Sequence, residues 1–551
     1  MQSKANGRPE KAKTVTSFQT RHGLTAFRWG WSVFVIMATT VPYLLNRFST
    51  PPGYHYTWIL PPYPEDSYGY MAWEQQAAHG AWLFKIKYTA LPHDAFLFHP
   101  FFLVCGWISS IFSCDIGIVF LAVKTVGVGI FLLTFYSYID YLGLTRIQSI
   151  TASILVGVSS GFGGIFGFSN LINPSQGISA DIGIMDMTTF ESLLWNPLWV
   201  YSLILMIMAM FWLDRGTRDA RASDLWLSGL ATGVMALIHP YSQPLLLVFA
   251  AIVIIARKRA GAAGYLCRYF AASLPFVIYV AFVSEFNPIV SKHNPLGEMD
   301  SPPFAAYALG FGLPLILCVA GLAVERGQLI KRYWQIILWF LLSVTFAYLP
   351  FWFQMKFIFG AHIPLCIMAG ISFDLILNKC SSVAARDCVL VLALVVLLPL
   401  VASTPMYLLA VGSTEVAQNE RGSYYISDEL MQGLKFLKAS TNPDQVVFAN
   451  YETSRLIPAI SGNTVVWGHW AMSVDLKERE AWINHLFAPQ SNWDDEQRSR
   501  DFWSNDIQFI FADGDIKQSV EQYPYKWRVI LKDADKVFEN NSVVIYQRRK
   551  T

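Results

Sequence analysis

Charge is scarce in this chain. Only 15% of its 551 residues are charged against 54% hydrophobic, and mean hydropathy is +0.37, a balance that excludes an ordinary soluble globular protein. Cysteine is sparse too: Cys105, Cys114, Cys267, Cys318, Cys366, Cys380 and Cys388 all lie in apolar segments or beside basic loops. The final 140 residues hold none, so neither a disulfide framework nor a cysteine zinc site is implied. The ten histidines include no H-E-x-x-H or other ligand-spaced set, which argues against a zinc hydrolase. Walker A and dinucleotide-binding fingerprints are missing, and so is any internal repeat. Two stretches, 167–196 and 239–243, contain no Lys or Arg at all.

Apolar runs dominate instead. Twelve of spanning or near-spanning length fall near 29–46, 96–113, 116–138, 149–166, 197–213, 225–238, 244–256, 269–285, 305–324, 334–352, 357–377 and 388–411. Basic residues cluster at Arg215/Arg218/Arg221, Arg257/Lys258/Arg259/Arg268, Arg326/Lys331/Arg332 and Lys379/Arg386, and the positive-inside rule assigns those loops to the cytoplasm. Residues 1–28 form a basic tail, and the apolar run after it ends without a small-residue cleavage pattern, as in an uncleaved anchor with a cytoplasmic tail. All clusters land inside only if one early segment does not cross. The best candidate is 96–113, interrupted by Gly106 and ending at Ser113-Cys114-Asp115, read as re-entrant or lying at the outer surface.

The expected architecture is therefore a polytopic α-helical membrane protein. It has about eleven transmembrane helices within 29–411 and an extracytoplasmic α/β domain over 412–551. Segments 225–238 and 244–256 are short and flank a break at His239-Pro240. In the terminal domain, period-2 apolar stretches predict strands at 446–449, 464–467, 507–511, 528–531 and 543–546, with a turn at Asn540-Asn541. Helices are predicted to begin near Ser427, Asp475, Asp494 and Ile516.

Three groups of ionisable residues fall on the predicted outer face. The first is Glu65-Asp66, in the proline- and aromatic-rich run Pro61-Pro62-Tyr63-Pro64-Glu65-Asp66, where a carboxylate could take a proton from an attacking hydroxyl; two solvated loop acids are the plain alternative. The second is the 168–196 loop, whose Asp181, Asp186 and Glu191 have no basic neighbour in sequence. Oxygens of Asp66, Asp181 and Asp186 would suit Mg²⁺ or Mn²⁺, against the alternative of a solvated acidic loop. The third is Lys356, between two apolar segments and followed by His362. A charge there is costly unless it reaches water or an anion, and a lipid phosphate is a natural partner; a snorkelling lysine is the alternative.

His239 and Tyr241 could line the same cavity, although a helix break with a packed histidine explains them as well. Gly161-Phe162-Gly163-Gly164 reads as a close helix contact or break, because no Lys-Ser/Thr follows it. Asn287-Pro288, Asn294-Pro295 and Ser301-Pro302-Pro303 should make a firm outer wall. His469-Trp470, at a predicted strand end, could stack on a sugar ring or cap the small core.

In plan the whole chain resembles the GT-C superfamily of membrane glycosyltransferases, which includes protein O-mannosyltransferases, aminoarabinose transferases and oligosaccharyltransferase catalytic subunits. The shared features are an acidic motif in the first outer loop, surface or re-entrant helices after it, a second-loop acid, a late basic residue and a soluble outer domain. The resemblance implies Asp66 as the base with Glu65 its neighbour, one of Asp181, Asp186 or Glu191 as the second-loop acid, and Lys356 as the phosphate clamp with His362 close by. It further implies a polyprenyl-phosphate sugar donor, membrane lipids around it, a glycan, lipid or protein acceptor, inversion at the sugar, and no nucleic-acid partner. Glu65-Asp66 reverses the Asp-Glu order common in protein O-mannosyltransferases, Lys stands where Arg is frequent, and no Trp-Trp-Asp motif occurs, which argues against en bloc transfer to asparagine. A secondary transporter or flippase is the competing reading, and a noncatalytic envelope scaffold the third.

Overall fold

A computed structural model describes residues 10–61, 64–169, 178–219, 221–258, 261–290, 299–419, 422–487, 495–522 and 524–549. Pro62, Tyr63, Arg259, Asn294, Pro295 and Asp494, invoked above, lie outside the described residues. The first helix, Glu10–Phe48, begins well inside the basic tail and continues through the first apolar run without a break.

Among the described residues, eight helices are long and apolar enough to cross a membrane, or nine if the pair Arg146–Val158 and Gly163–Ser169, bent by 47°, is one broken span. Length and apolarity thus give eight or nine where eleven were expected. Asp224–Ile238 has only 15 residues. The 43-residue helix Phe304–Phe346 leaves helical backbone values at Glu325 and Tyr333. Its ring pairs Tyr307–Tyr348 (6.1 Å) and Phe311–Phe340 (5.4 Å) show two arms folded back on one another, so 305–324 and 334–352 form a hairpin.

Pro100–Phe112, with 13 residues, spans roughly 20 Å, short of a hydrocarbon core of about 30 Å. Gly106 does not interrupt it, contrary to the sequence reading. Its missing side chain lets the helix lie against Pro64–Ala78, since a Cβ there would come within 2.4 Å of Ala77 Cβ and 2.6 Å of the Glu74 carbonyl oxygen. Gly161 serves the bent pair in the same way: a Cβ would meet the Leu309 carbonyl oxygen at 2.2 Å. A buried lysine, Lys124, stitches the bundle by donating to the carbonyls of Thr39 (2.6 Å) and Leu194 (2.9 Å), with Tyr43 4.0 Å beneath it.

Residues of the basic tail and of the predicted basic clusters gather at one end. Arg28 pairs with Asp140, Arg215 with Asp224, Arg257 with Asp214 and Lys379 with Glu325. From Arg28 the first helix runs roughly 30 Å to Phe48. Beyond it, strand β1 (Tyr54–Tyr56) pairs antiparallel with β2 (Tyr425–Ser427), so the carboxy-terminal domain sits at the opposite end.

The last membrane helix continues to Gln418, past residue 412, and stops at Asn419 in the left-handed region (φ 48°). The domain's main sheet has the order β4-β3-β5-β7-β6, with β3 (Val446–Phe448), β4 (Thr464–Val465) and β5 (Ile507–Asp513) parallel. β6 (Ala534–Glu539) and β7 (Val543–Arg548) are joined antiparallel around Asn540. The strand predicted at 528–531 is instead part of helix Pro524–Leu531, because Trp527 and Ile530, three apart, are both buried on one helical face. Helix Tyr451–Ile460 was not anticipated, and its Pro458 is the reason. The domain is seated directly on the membrane part: Tyr68 Oη donates to the Ser423 carbonyl (2.6 Å), Tyr88 Oη to that of Arg455 (3.0 Å), and Lys87 pairs with Asp444 (2.8 Å).

Candidate active site

The seat of the domain is the helix Pro64–Ala78. Proline at its first position and two acids in its first turn match the preference of helix N-termini for both. That preference fixes Asp66 and Glu65 at the mouth of the bundle but sends them to different partners. Glu65 turns to the carboxy-terminal domain, 3.5 Å from the Arg455 guanidinium and accepting from Tyr451 Oη at 3.2 Å. Asp66 turns to a cavity of about 420 Å³ walled by Pro64, Asp186, Trp199, Met355, Lys356 and Trp470. A second cavity of about 370 Å³ adjoins it, sharing Asp66, Trp199, Lys356 and Trp470 and reaching Tyr70, His239 and Tyr241.

Trp470 comes from the turn after β4. Gly468 (φ 135°) makes that turn possible, since a Cβ would lie 2.6 Å from Ser454 Cβ. Ser473 Oγ accepts from the amides of Gly468 and His469, each at 3.0 Å. Trp470 Nε1 then donates to Asp66 Oδ1 at 2.8 Å. His469 Nδ1 accepts from the Ala471 and Met472 amides, which places its proton on Nε2, 3.8 Å from the same oxygen. Asp66 keeps 29% of its side-chain surface open and lines both cavities. Burial dominates its electrostatics and lifts its pKa to about 6; the Trp470 hydrogen bond and the Lys356 charge pull the other way, and Glu65 adds to the rise.

Lys356 lies in a short 3-10 helix, Gln354–Ile358, after a run of aromatic residues. Its Nζ donates to Asp186 Oδ2 at 2.8 Å and sits 5.9 Å from the Trp199 ring centroid. Asp186 is 2% exposed, so the lysine is its counter-charge and holds the second-loop acid at the cavity. Met299 enters by exchanging backbone hydrogen bonds with Trp352 (2.9 Å) and Met355 (3.0 Å). His239 and Tyr241 both reach the second cavity, with His239 4.4 Å from the Phe359 ring.

The remaining residues of interest do not join. Asp181 is fully buried and accepts from Ser179, Ser160 (3.1 Å), the Gly161 amide (2.8 Å) and Thr404 (2.7 Å), so it ties the bent pair to the last membrane helix. Glu191 is buried beside it, with its Oε1 3.1 Å from Ser160 Oγ; burial and the neighbouring Asp181 hold its carboxyl well above the usual range. His362, 0% exposed, bonds Ser159 (3.1 Å) and Thr189 (2.9 Å) in the bundle interior, away from both cavities. It lacks the access a phosphate ligand needs. Asp66, Asp181 and Asp186 do not converge as a metal set either. Asp181 accepts from several protein donors, Asp186 is paired with Lys356, and among the described residues no group of three or more His, Cys, Asp or Glu side chains could hold an ion. Sequence reading gave His469-Trp470 no place near Asp66, and it missed Trp199 and Arg455; only their aromatic or basic character could have flagged them.

No protein-family model matches the sequence, and no curated protein does. Among solved structures, the oligosaccharyltransferase of Archaeoglobus fulgidus in its apo form aligns at 11% identity with a TM-score of 0.51, over 94% of this chain and 74% of that one. The mycobacterial arabinofuranosyltransferase AftD aligns at 13% identity and a TM-score of 0.51, over 93% of this chain and 41% of that one. ArnT from Cupriavidus metallidurans, bound to undecaprenyl phosphate, gives 12% identity and 0.49, over 94% and 98%. Likeness at these identities is one of fold alone, shared with the Archaeoglobus fulgidus oligosaccharyltransferase and with AftD.

Proposed function

We propose that this protein is a membrane glycosyltransferase that moves a sugar from a polyprenyl-phosphate donor to a hydroxyl of a glycan, lipid or protein acceptor. The observation that carries the proposal is the meeting of Asp66, Trp470 and the Lys356–Asp186 pair at two adjoining cavities beside the membrane helices. Asp66 accepts the proton of the acceptor hydroxyl, whose oxygen attacks the anomeric carbon. The bond from that carbon to the phosphate oxygen breaks, the electron pair leaves with the phosphate, and one displacement inverts the centre. An ammonium has three donors, so Lys356 can keep Asp186 and still meet the departing phosphate. With a pKa near 6, Asp66 is largely ionised at neutral pH and still basic enough to serve.

The topology that goes with this reading has eleven crossings: the two arms of the 304–346 hairpin count separately, and the bent pair and Asp224–Ile238 each count once. The amino terminus and basic loops are then cytoplasmic, and the carboxy-terminal domain and cavities extracytoplasmic. The donor sets around Asp66 and Asp181 do not fit a divalent ion, and no step is assigned to one.

The test is Asp66→Asn, assayed for transfer from polyprenyl-phosphate sugars in membranes holding equal amounts of folded protein. The amide keeps size and shape but accepts no proton at neutral pH, so a loss of about 10²- to 10⁴-fold is expected. Undiminished transfer would remove Asp66 as the base, and no transfer by the parent protein would return the transporter reading to first place.

A further inference from the structure

Helix Pro64–Ala78 has a second face. Asp66, Tyr70 and Trp73 look into the catalytic cavities, whereas Tyr68, Met71 and Gln75 look into a separate cavity of about 470 Å³ on the other side. It is closed above by helix Asp428–Ser440 of the carboxy-terminal domain and bounded by the end of the first membrane helix and the start of Ile116–Tyr141. Arg47, Lys435 and Lys438 line it, with Asp115 as the acid among its lining residues, an excess of two positive charges (3 − 1). Asp115 is engaged in capping its helix, accepting from the Gly117 amide at 2.8 Å. His55, at the rim, already has a partner in Asp428 at 2.9 Å.

We propose that this cavity binds the phosphate-bearing headgroup of an anionic membrane lipid. Its depth supports this, since Arg47 is in the last turn of one membrane helix and Ile116 begins another, which is headgroup level. Tyr54 and Trp58, both on the wall, are the residue types that favour that level. Ile118 on the wall is exposed, as are Leu45, Phe48 and Phe112, which neighbour the lining residues Arg47 and Cys114 in sequence, giving acyl chains an apolar surface beside a cationic pocket. A soluble anion would use the three cations but not that surface. Such a lipid would clamp the carboxy-terminal domain against the bundle, because Lys435 and Lys438 belong to the domain and Arg47 to the membrane part.

The test uses the whole protein in detergent micelles, with native mass spectrometry counting retained lipid after exposure to phosphatidylglycerol or phosphatidylcholine, in the presence or absence of inorganic phosphate. Each Lys or Arg near an anionic headgroup contributes about 1 kcal/mol, so Lys435→Gln with Lys438→Gln should weaken phosphatidylglycerol retention roughly 30-fold. Lys477→Gln, a control outside the cavity, should change nothing, and unaltered melting of each variant will show that the fold is kept. Equal retention by the double variant and the parent, or equal retention of phosphatidylcholine, would overturn the proposal. Full displacement of the lipid by millimolar inorganic phosphate would also overturn it, by showing a site for free phosphate. The outcome is independent of Asp66 chemistry, so it stands or falls apart from the proposed activity.

Discussion

Trp470→Phe isolates one hydrogen bond at the centre of the site. The substitution keeps an aromatic ring between the two cavities and deletes only the Nε1–H that donates to Asp66 Oδ1 at 2.8 Å. A hydrogen bond to a charged group contributes about 1.5–3 kcal/mol, and one pKa unit is about 1.36 kcal/mol. Asp66 is partly open to its cavity, so water replaces some of the loss and the lower end applies, a rise of about one unit. The sign follows from which form the bond favours: the indole N–H stabilises the carboxylate, so without it the proton is held more tightly. Base catalysis needs the ionised form, and kcat/KM falls as pH drops through the pKa. Its acid limb should therefore move from about 6 in the parent to about 7 in the variant. At pH 7 the variant should run at roughly half its plateau, and at pH 8.5 it should recover, which a merely structural defect would not do. The assay is the pH profile of initial transfer rates in membranes at low donor concentration. An acid limb left at the parent position would refute the hydrogen-bond argument, and a uniform loss at every pH would assign Trp470 to substrate stacking instead.

Lys356→Met leaves Asp186, 2% exposed, without its counter-charge and should destabilise by roughly 3 kcal/mol, the low end for a buried pair because the lysine reaches the cavity. Adding Asp186→Asn should restore the melting temperature but not donor affinity; loss of neither would deny the lysine a phosphate role. Gly161→Ala sets a methyl 2.2 Å from the Leu309 carbonyl oxygen and should cost about 1–3 kcal/mol, read as earlier thermal unfolding, and an unchanged melting curve would mean that the bent pair yields freely. Because Asp181 and Asp186 are committed to protein donors, transfer should persist in excess EDTA; inactivation reversed by Mg²⁺ or Mn²⁺ would show a ligand set different from the one described.

The sequence by itself determined what depends on local pattern and on side-chain transfer to lipid. Apolar runs fixed where most membrane helices lie, and the basic clusters now found at one end were legible as charge. The positions of the parallel strands of the terminal sheet could be read from sequence, whereas Glu65-Asp66, read as part of a loop, is the first turn of helix Pro64–Ala78. Runs that carry both periods, or a proline inside a helix, were not legible, as at 528–531 and Tyr451–Ile460. Nor could adjacency across hundreds of residues be read. Trp470 lies 404 positions from the Asp66 it bonds, and Lys356 170 from Asp186. In sequence His362, Asp181 and Glu191 look as available as Lys356. Tertiary packing alone decided that the first three are enclosed among hydroxyl donors while Lys356 and Asp66 share open walls, because a side chain's chemistry is set by what surrounds it and by whether water or substrate can reach it.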